Sequence, residues 1–236
     1  MADLTTLVTD FPTNQGSLAL VQANTPFTQS VGAVTVASNA LTVVCATSFA
    51  NAARSGNYSW AGGGLYSKPV PAPEGTAATN QETFLAIADA SSTDASIRIA
   101  YDWDLAPTTP TITAVLYSTD NTFTDVSTPV SETYSAVNHA WLGWYYDASN
   151  IYWMKSADGA TWSIMRQVAR SLGAWLTTQT DLNWEFSTNR VGGSNTNATL
   201  DNINTGGVAP GAGTPGPTTR PIVGGNSSAV MRASSW

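Results

Sequence analysis

An antiparallel all-β sandwich is the fold class this sequence predicts, and three observations predict it. Apolar and polar residues alternate with a period of two along nearly every segment. Gly, Asn, Asp and Ser punctuate those segments at short intervals. Helical periodicity is almost absent. The chain has 236 residues, a length that one sandwich commonly fills.

The strands read in order. Ala33–Val36 and Ala40–Cys45 flank Ser38-Asn39, a two-residue turn. Glu82–Asp89 alternates, and a Ser/Thr/Asp loop follows it. From Ser96 to Trp103, Ile97, Ile99, Tyr101 and Trp103 share one face, with Arg98 and Asp102 on the other. Thr111–Ser118 alternates as well. Three closely spaced strands follow, Trp141–Tyr146, Ile151–Lys155 and Thr161–Ile164. The last two are joined through Asp158-Gly159, a strong hairpin signal because Gly accepts positive φ. Asn183–Val191 and Ala198–Ile203 complete the pattern. In Ile164–Leu176, Met165, Val168, Leu172 and Trp175 have helical spacing, but Gly173 interrupts it, so a short helix or a loop crossing the sheet edge is expected.

Composition changes after Thr205, where proline and glycine dominate. The chain therefore divides into an N-terminal segment with the first strands (1–29), the sandwich (30–205) and an extended Pro/Gly-rich C-terminal arm (206–236). Met231 and Trp236 near the arm's end are candidate docking anchors.

Only 11% of residues are charged, and the net charge is -7 with a pI near 4.4. That balance argues against nucleic acid and anionic membrane surfaces, which need clustered Lys and Arg. No apolar run is long enough for a membrane-inserted helix. Residues 1–20 hold Asp3 and Asp10, no Lys or Arg, and no signal-like apolar run, so a mature N-terminus is expected. One cysteine, Cys45, and one histidine, His139, exclude a disulfide framework and a Cys/His zinc site. Cys45 reads as a buried apolar residue and His139 as a surface or edge residue.

Trp141-Leu142, Ile151-Tyr152-Trp153, Ser156-Ala157-Asp158-Gly159-Ala160-Thr161-Trp162 and Ala198-Thr199-Leu200-Asp201-Asn202-Ile203 form an ordered series. Gly63–Lys68, Glu82–Leu85 and Ser96–Ile99 precede it. In order and spacing, residues 30–205 resemble the concanavalin A-like (laminin-G-like) jelly roll, in the version found in bacteriophage minor tail and other virion proteins. The resemblance implies a non-enzymatic bacteriophage virion structural protein, a minor tail or capsid-surface (decoration) component. Such a protein would be assembled in the host bacterial cytoplasm, with other virion proteins and copies of itself as partners. The alternative is a host-surface glycan-binding adhesin module.

Glycosidases of this jelly-roll type resemble one another in a Glu-x-Asp-x-x-Glu run, which this chain lacks. Glu74, Glu82, Glu132 and Glu185 stand apart from other acids. Asp102-Trp103-Asp104 places two acids on one strand face and reads as a solvated strand terminus. Asp120-Asn121-Thr122 with Asp125 is a conceivable calcium cluster that also reads as ordinary turn chemistry. No catalytic residue, metal or cofactor is therefore expected.

The strand Trp141–Tyr146 is apolar or aromatic on both faces, with Trp141, Gly143 and Tyr145 on one of them. Tyr152 and Met154 would lie beside these, and Arg98 is a candidate for the same face. Either this face is covered by the arm, a loop or a neighbouring subunit, or it is a carbohydrate platform built on Trp141, Tyr145, Tyr152 and Arg98.

Overall fold

The computed structural model describes residues 2–11, 27, 29–46, 51–74, 80–89, 98–104, 110–117 and 125–211. Its strands are β1 Gln29–Val31, β2 Val34–Ala37, β3 Ala40–Cys45, β4 Asn51–Arg54, β5 Leu65–Val70, β6 Asn80–Asp89 and β7 Arg98–Asp104. They continue as β8 Thr111–Tyr117, β9 Val130–Thr133, β10 Trp141–Tyr146, β11 Asn150–Ser156, β12 Ser163–Ala169, β13 Leu182–Val191 and β14 Thr196–Asp201. All pairings between them are antiparallel. The first sheet has the order β1-β4-β13-β6-β7-β8-β9, and the second β12-β11-β10-β5-β14-β3-β2. This is the expected sandwich.

Alternation supplies the core. Leu85 and Ile87 of β6, Ile99, Tyr101 and Trp103 of β7 and Trp184 and Phe186 of β13 turn inward from the first sheet. Leu142, Trp144 and Tyr146 of β10 and Ile151 and Trp153 of β11 meet them from the second. Trp144 and Trp184 approach to 5.4 Å between ring centres. Burying one such indole removes about 150–250 Å² from water, roughly 4–6 kcal/mol at 25 cal/mol per Å². Polar contacts from Tyr101 and Trp153 are among those that tie the two sheets together. The Tyr101 hydroxyl lies 2.7 Å from both the Gly143 and Met154 carbonyl oxygens, and Trp153 Nε1 donates to Ala100 O at 2.9 Å.

The turns follow their residues. Ser38 and Asn39 both have positive φ, +54° and +59°, the geometry of a tight hairpin. Asp158 Oδ1 accepts from Ala160 N and Thr161 N at 2.8 and 2.7 Å and shapes the β11–β12 connection. The stretch with mixed helical spacing divides differently from expectation. Its first half extends β12 through Ala169, and only Arg170–Thr177 is helical, as 3₁₀ turns kinked at Gly173. Pairing of Ile151 with Val168 and Tyr152 with Gln167 holds that half in the sheet and overrides its local period.

The first and last described segments close around the second sheet. Leu4, Leu7 and Phe11 enter the core from the N-terminal segment. At the other end, residues 204–211 form a strap across the outer side of β5 and β10. Tyr66 Oη donates to Gly207 O (3.0 Å), Trp162 Nε1 to Val208 O (2.7 Å), and Val208 N to Gly159 O (2.8 Å). Pro210 sits where a side chain on Gly64 or Gly143 would go, since a Cβ there would meet it at 2.0 and 3.1 Å.

Candidate functional site

The residues expected to form one platform occupy different surroundings. Trp141 lies beneath the strap with Tyr66, Met154 and Trp162 and is buried. For this part of the face, cover by the chain's own arm is the correct alternative. Tyr145 and Tyr152 are half-buried beside it, stacked at 5.4 Å. Tyr152 Oη donates to Asp147 Oδ2 at 2.9 Å. Arg98 does not share their face. It belongs to the first sheet, because β7 pairs with β6 and β8 and not with β10. Met231 and Trp236 lie outside the described residues, as do Asp120, Asn121 and Thr122. Asp125 is committed elsewhere. Its two oxygens take a bidentate contact from Arg166 at 2.6 Å each, and Leu116 N donates to Oδ2 at 2.7 Å. His139, expected as a surface or edge residue, is buried, stacked on Tyr134 with Nε2 3.4 Å from Glu132 Oε2.

The chemistry gathers on the outward face of the first sheet. Register fixes its rows. Asn183, Ala88, Arg98 and Tyr117 stand side by side across β13, β6, β7 and β8. Glu185, Ala86, Ala100 and Val115 form the next row, and Ser187, Phe84, Asp102 and Thr113 the one after. Asn189, Glu82, Asp104 and Thr111 form the last. Alanines at Ala86, Ala88 and Ala100 make a low floor, and the longer polar side chains stand around it. Asp104 is exposed, and Glu82, Asp102, Thr111 and Thr113 are half-buried, so the acidic end meets solvent. Arg98, Asn183 and Glu185 are 2%, 3% and 4% exposed, so the other end is deep.

Electrostatics follow from that layout. Burial pushes the Asp102 carboxyl up to about 7, and the neighbouring Glu82 and Asp104 add to it against the pull of Arg98. Burial also lowers Arg98, which Glu185 opposes, and raises Tyr117 to about 12, helped by the Asp102 charge. Arg54 Nη2 reaches Glu185 Oε1 at 3.4 Å, and the Arg98 guanidinium lies 5.5 Å from the Phe84 ring centre. Three acceptors on this face, Asp102 Oδ1, Asn183 Oδ1 and Glu185 Oε2, are buried and receive no hydrogen bond; Arg54 Nε is a donor in the same condition. Buried polar atoms are rarely left so, and each calls for a partner, an ordered water or a bound group.

Sequence reasoning paired Asp102 with Asp104 but read them as a solvated strand end. Asp102 is instead half-buried and strongly perturbed. Glu185 was set aside as standing apart from other acids and Asn183 was read only as the start of a strand, although their signal was present. They alternate with Leu182, Trp184 and Phe186, the pattern of a strand whose second face carries specific polar groups.

No protein-family model and no curated protein matches the chain. Solved structures do. The Crh5 transglycosylase in complex with NAG superposes with a TM-score of 0.54 at 13% identity, covering 86% of this chain and 84% of that one. SCLam, a non-specific endo-beta-1,3(4)-glucanase from family GH16, gives 0.53 at 8% identity over 72% of each. The legume lectin-like domain from Entamoeba histolytica gives 0.50 at 10% identity, over 86% and 96%. At these identities the likeness establishes the fold, a jelly-roll sandwich of the GH16 and lectin kind. The expectation of a non-enzymatic bacteriophage virion structural protein is overturned. Nothing in these likenesses links the chain to bacteriophage, tail or virion proteins, and they fall among glycoside hydrolases, transglycosylases and lectin-like domains. The expectation that the chain is not an enzyme falls with it, because two of these three structures are enzymes.

Proposed function

We propose that this is a carbohydrate-binding protein, and that its saccharide lies against the outward face of the first sheet. The observation that carries the reading is the set of buried acceptors without donors, Asp102 Oδ1, Asn183 Oδ1 and Glu185 Oε2. Sugar hydroxyls are donors in dense array, so a saccharide edge supplies what these atoms lack. The likeness to a transglycosylase, an endo-glucanase and a lectin-like domain supports the same class of ligand.

Glycan-array screening of the full chain, followed by calorimetry on the best binder, tests this. Asn183→Ala and Glu185→Gln are each expected to weaken binding by about tenfold, the effect of losing roughly 1.4 kcal/mol of hydrogen bonding. Loss in Tyr145→Ala with no loss in Asn183→Ala would move the site to the second sheet.

One observation favours catalysis on the same face. Asp102, with its carboxyl near 7, can carry a proton at neutral pH beside the carboxyl groups of Glu82 and Asp104. Asp102 and Glu82 are diagonal neighbours on this face, so both carboxyl groups open onto the same stretch of sheet, as an acid and a water-activating base must in an inverting glycosidase. Release of reducing ends from β-glucan or chitin, abolished in Asp102→Asn, would establish turnover; no release from either would confine the protein to binding.

A further inference from the structure

The outward face of the second sheet is only partly covered. Tyr66, Trp141 and Trp162 are sealed beneath the strap, and Pro210 is buried against Gly64 and Gly143. The cover thins at Gly211, where an added Cβ would meet no described atom within 4 Å. The same face carries a row running from Tyr145 of β10 to Tyr152 of β11 and Gln167 of β12. Gln167 is exposed, and both tyrosines are half-buried, their rings 5.4 Å apart and 20° from parallel.

The β10–β11 turn holds this shelf in shape. Asp147 Oδ1 accepts from Ser149 N and Asn150 N at 2.7 and 2.8 Å, and its Oδ2 accepts from Tyr152 Oη at 2.9 Å. Asn150 Nδ2 donates to the same hydroxyl at 3.3 Å. Tyr152 is thus fixed in advance, which spares a ligand the entropy of ordering it. Those bonds from Ser149, Asn150 and Tyr152 hold the Asp147 carboxyl below its usual value, so it is ionised at neutral pH. Arg170 lies beside it, with Nη1 donating to Asp147 O at 3.0 Å. One acid and one base therefore offset each other at the rim.

That composition selects the occupant. A protein partner favours a continuous apolar patch. None of the large apolar side chains left exposed among the described residues belongs to β10, β11 or β12. A charged polymer favours a rim of the opposite sign, and this rim is balanced. A neutral pyranose chain fits both features, because it offers an apolar ring face to an aromatic surface and a hydroxyl edge to amide and carboxylate groups. We propose that the Tyr145–Tyr152 shelf is a second saccharide site, taking a neutral oligosaccharide of equatorially substituted pyranose rings. Equatorial hydroxyls leave the ring faces to C–H groups, which lie on the tyrosines, while the hydroxyl edge turns to Asp147, Asn150 and Gln167. A uronic or sulfated unit is disfavoured because its anion would meet Asp147. The site goes beyond the one on the first sheet and does not depend on it, since the core separates the two faces.

Calorimetry and hydroxyl-radical footprinting of the full chain with cellohexaose and with laminarihexaose test this. Two sites per chain are expected, and saturating sugar should protect the Tyr145 and Tyr152 side chains from oxidation. Tyr145→Ala and Tyr152→Ala should each weaken the shelf by about tenfold, the effect of losing one aromatic contact. Combined, they should lower the stoichiometry from two to one, whereas Asn183→Ala should leave the shelf as it is. If the combined variant does not fold, footprinting of the native protein decides. Unprotected tyrosines under saturating sugar, or an unchanged stoichiometry in the combined variant, overturn the shelf and leave the first-sheet reading standing. Loss of all binding in the combined variant, with Asn183→Ala unaffected, keeps the shelf and overturns the first-sheet reading. If neither hexasaccharide binds, the shelf is overturned and the glycan array judges the first-sheet site by itself. A hyaluronan hexasaccharide should not protect the tyrosines; equal protection by it would overturn the neutral ligand class.

Discussion

Asp102 and Glu82 stand diagonally across the β6–β7 pair on the face turned away from the core, and after burial Glu82 is the largest contributor to keeping the Asp102 carboxyl protonated. Twenty residues of chain separate them, yet the hairpin register brings them onto one side of the sheet. Stability has been given up at this spot, which is common where a fold carries a binding or catalytic group.

That relationship makes stability depend on pH. In the unfolded chain Asp102 ionises near its usual 3.8, and in the fold near 7. As pH rises between those values the unfolded chain loses a proton that the fold retains, so stability falls across the window and levels off above about 7. Three units correspond to about 4 kcal/mol, and partial exposure of Asp102 reduces the expected effect to roughly 2 kcal/mol. Thermal denaturation should show Asp102→Asn more stable than the native protein at about pH 8 and equal to it at about pH 4. An equal shift at both would mean that the substitution acts through packing.

Arg166 is expected to be among the costliest side chains to remove. It contacts both oxygens of Asp125 at 2.6 Å, donates to Ala114 O at 2.9 Å and lies 4.8 Å from the Trp153 ring centre. Burial pushes the Asp125 carboxyl up, but the Arg166 contact, with Leu116 and Ser127, outweighs it and holds the carboxyl below its usual value. Arg166→Ala strands that charge and should cost about 3–5 kcal/mol in urea denaturation. Pairing it with Asp125→Ala should recover part of the loss.

Asn204 joins the two ends of the described chain. Its Nδ2 donates to Leu4 O and Leu7 O at 2.9 Å each, and its Oδ1 accepts from Tyr66 N at 3.0 Å. Its φ of +49° is one that Asn tolerates better than Ala. Asn204→Ala should therefore destabilise by about 2–4 kcal/mol. Proteolysis should shift towards the N-terminal segment and the strap; unchanged cleavage would show that these ends are held otherwise.

Gly159 has φ +72°, and a Cβ there would come within 2.7 Å of Trp141 Cε2. Gly159→Ala should cost about 1–3 kcal/mol from backbone strain and overpacking. Because the strap hydrogen-bonds to Gly159 O, quenching of tryptophan fluorescence should also report loosened cover over Trp141 and Trp162. A denaturation curve superimposable on that of the native protein would refute this.

His139 should govern an acid-side loss of stability. Burial and the nearby Lys155 hold it below its usual 6.5, against Ser135 and Glu132. The unfolded chain takes up a proton near 6.5 that the fold resists, so stability falls as pH drops below that value. His139→Gln should flatten this part of the curve, measured as Tm against pH; an unchanged slope would assign the loss to other groups.

Much of this protein was settled by its sequence alone. Period-two alternation in β6, β7, β10 and β13 defines which side chains turn inward, because successive strand residues point to opposite faces. Ser38-Asn39 and Asp158-Gly159 define two hairpins, because positive φ is a local steric property. Which outward residues become neighbours was decided only by the tertiary structure. Strand order β13-β6-β7 places Glu185 and Asn183 on one face with Asp102 and Arg98, and it puts Arg98 on the opposite sheet from Tyr145. The strap over Trp141 belongs to the same level, since it depends on Gly64 and Gly143 leaving room for Pro210. Alternation describes one strand at a time. The partner of a strand is chosen by packing between residues far apart in the chain, and the electrostatic character of Asp102 exists only once that choice has been made.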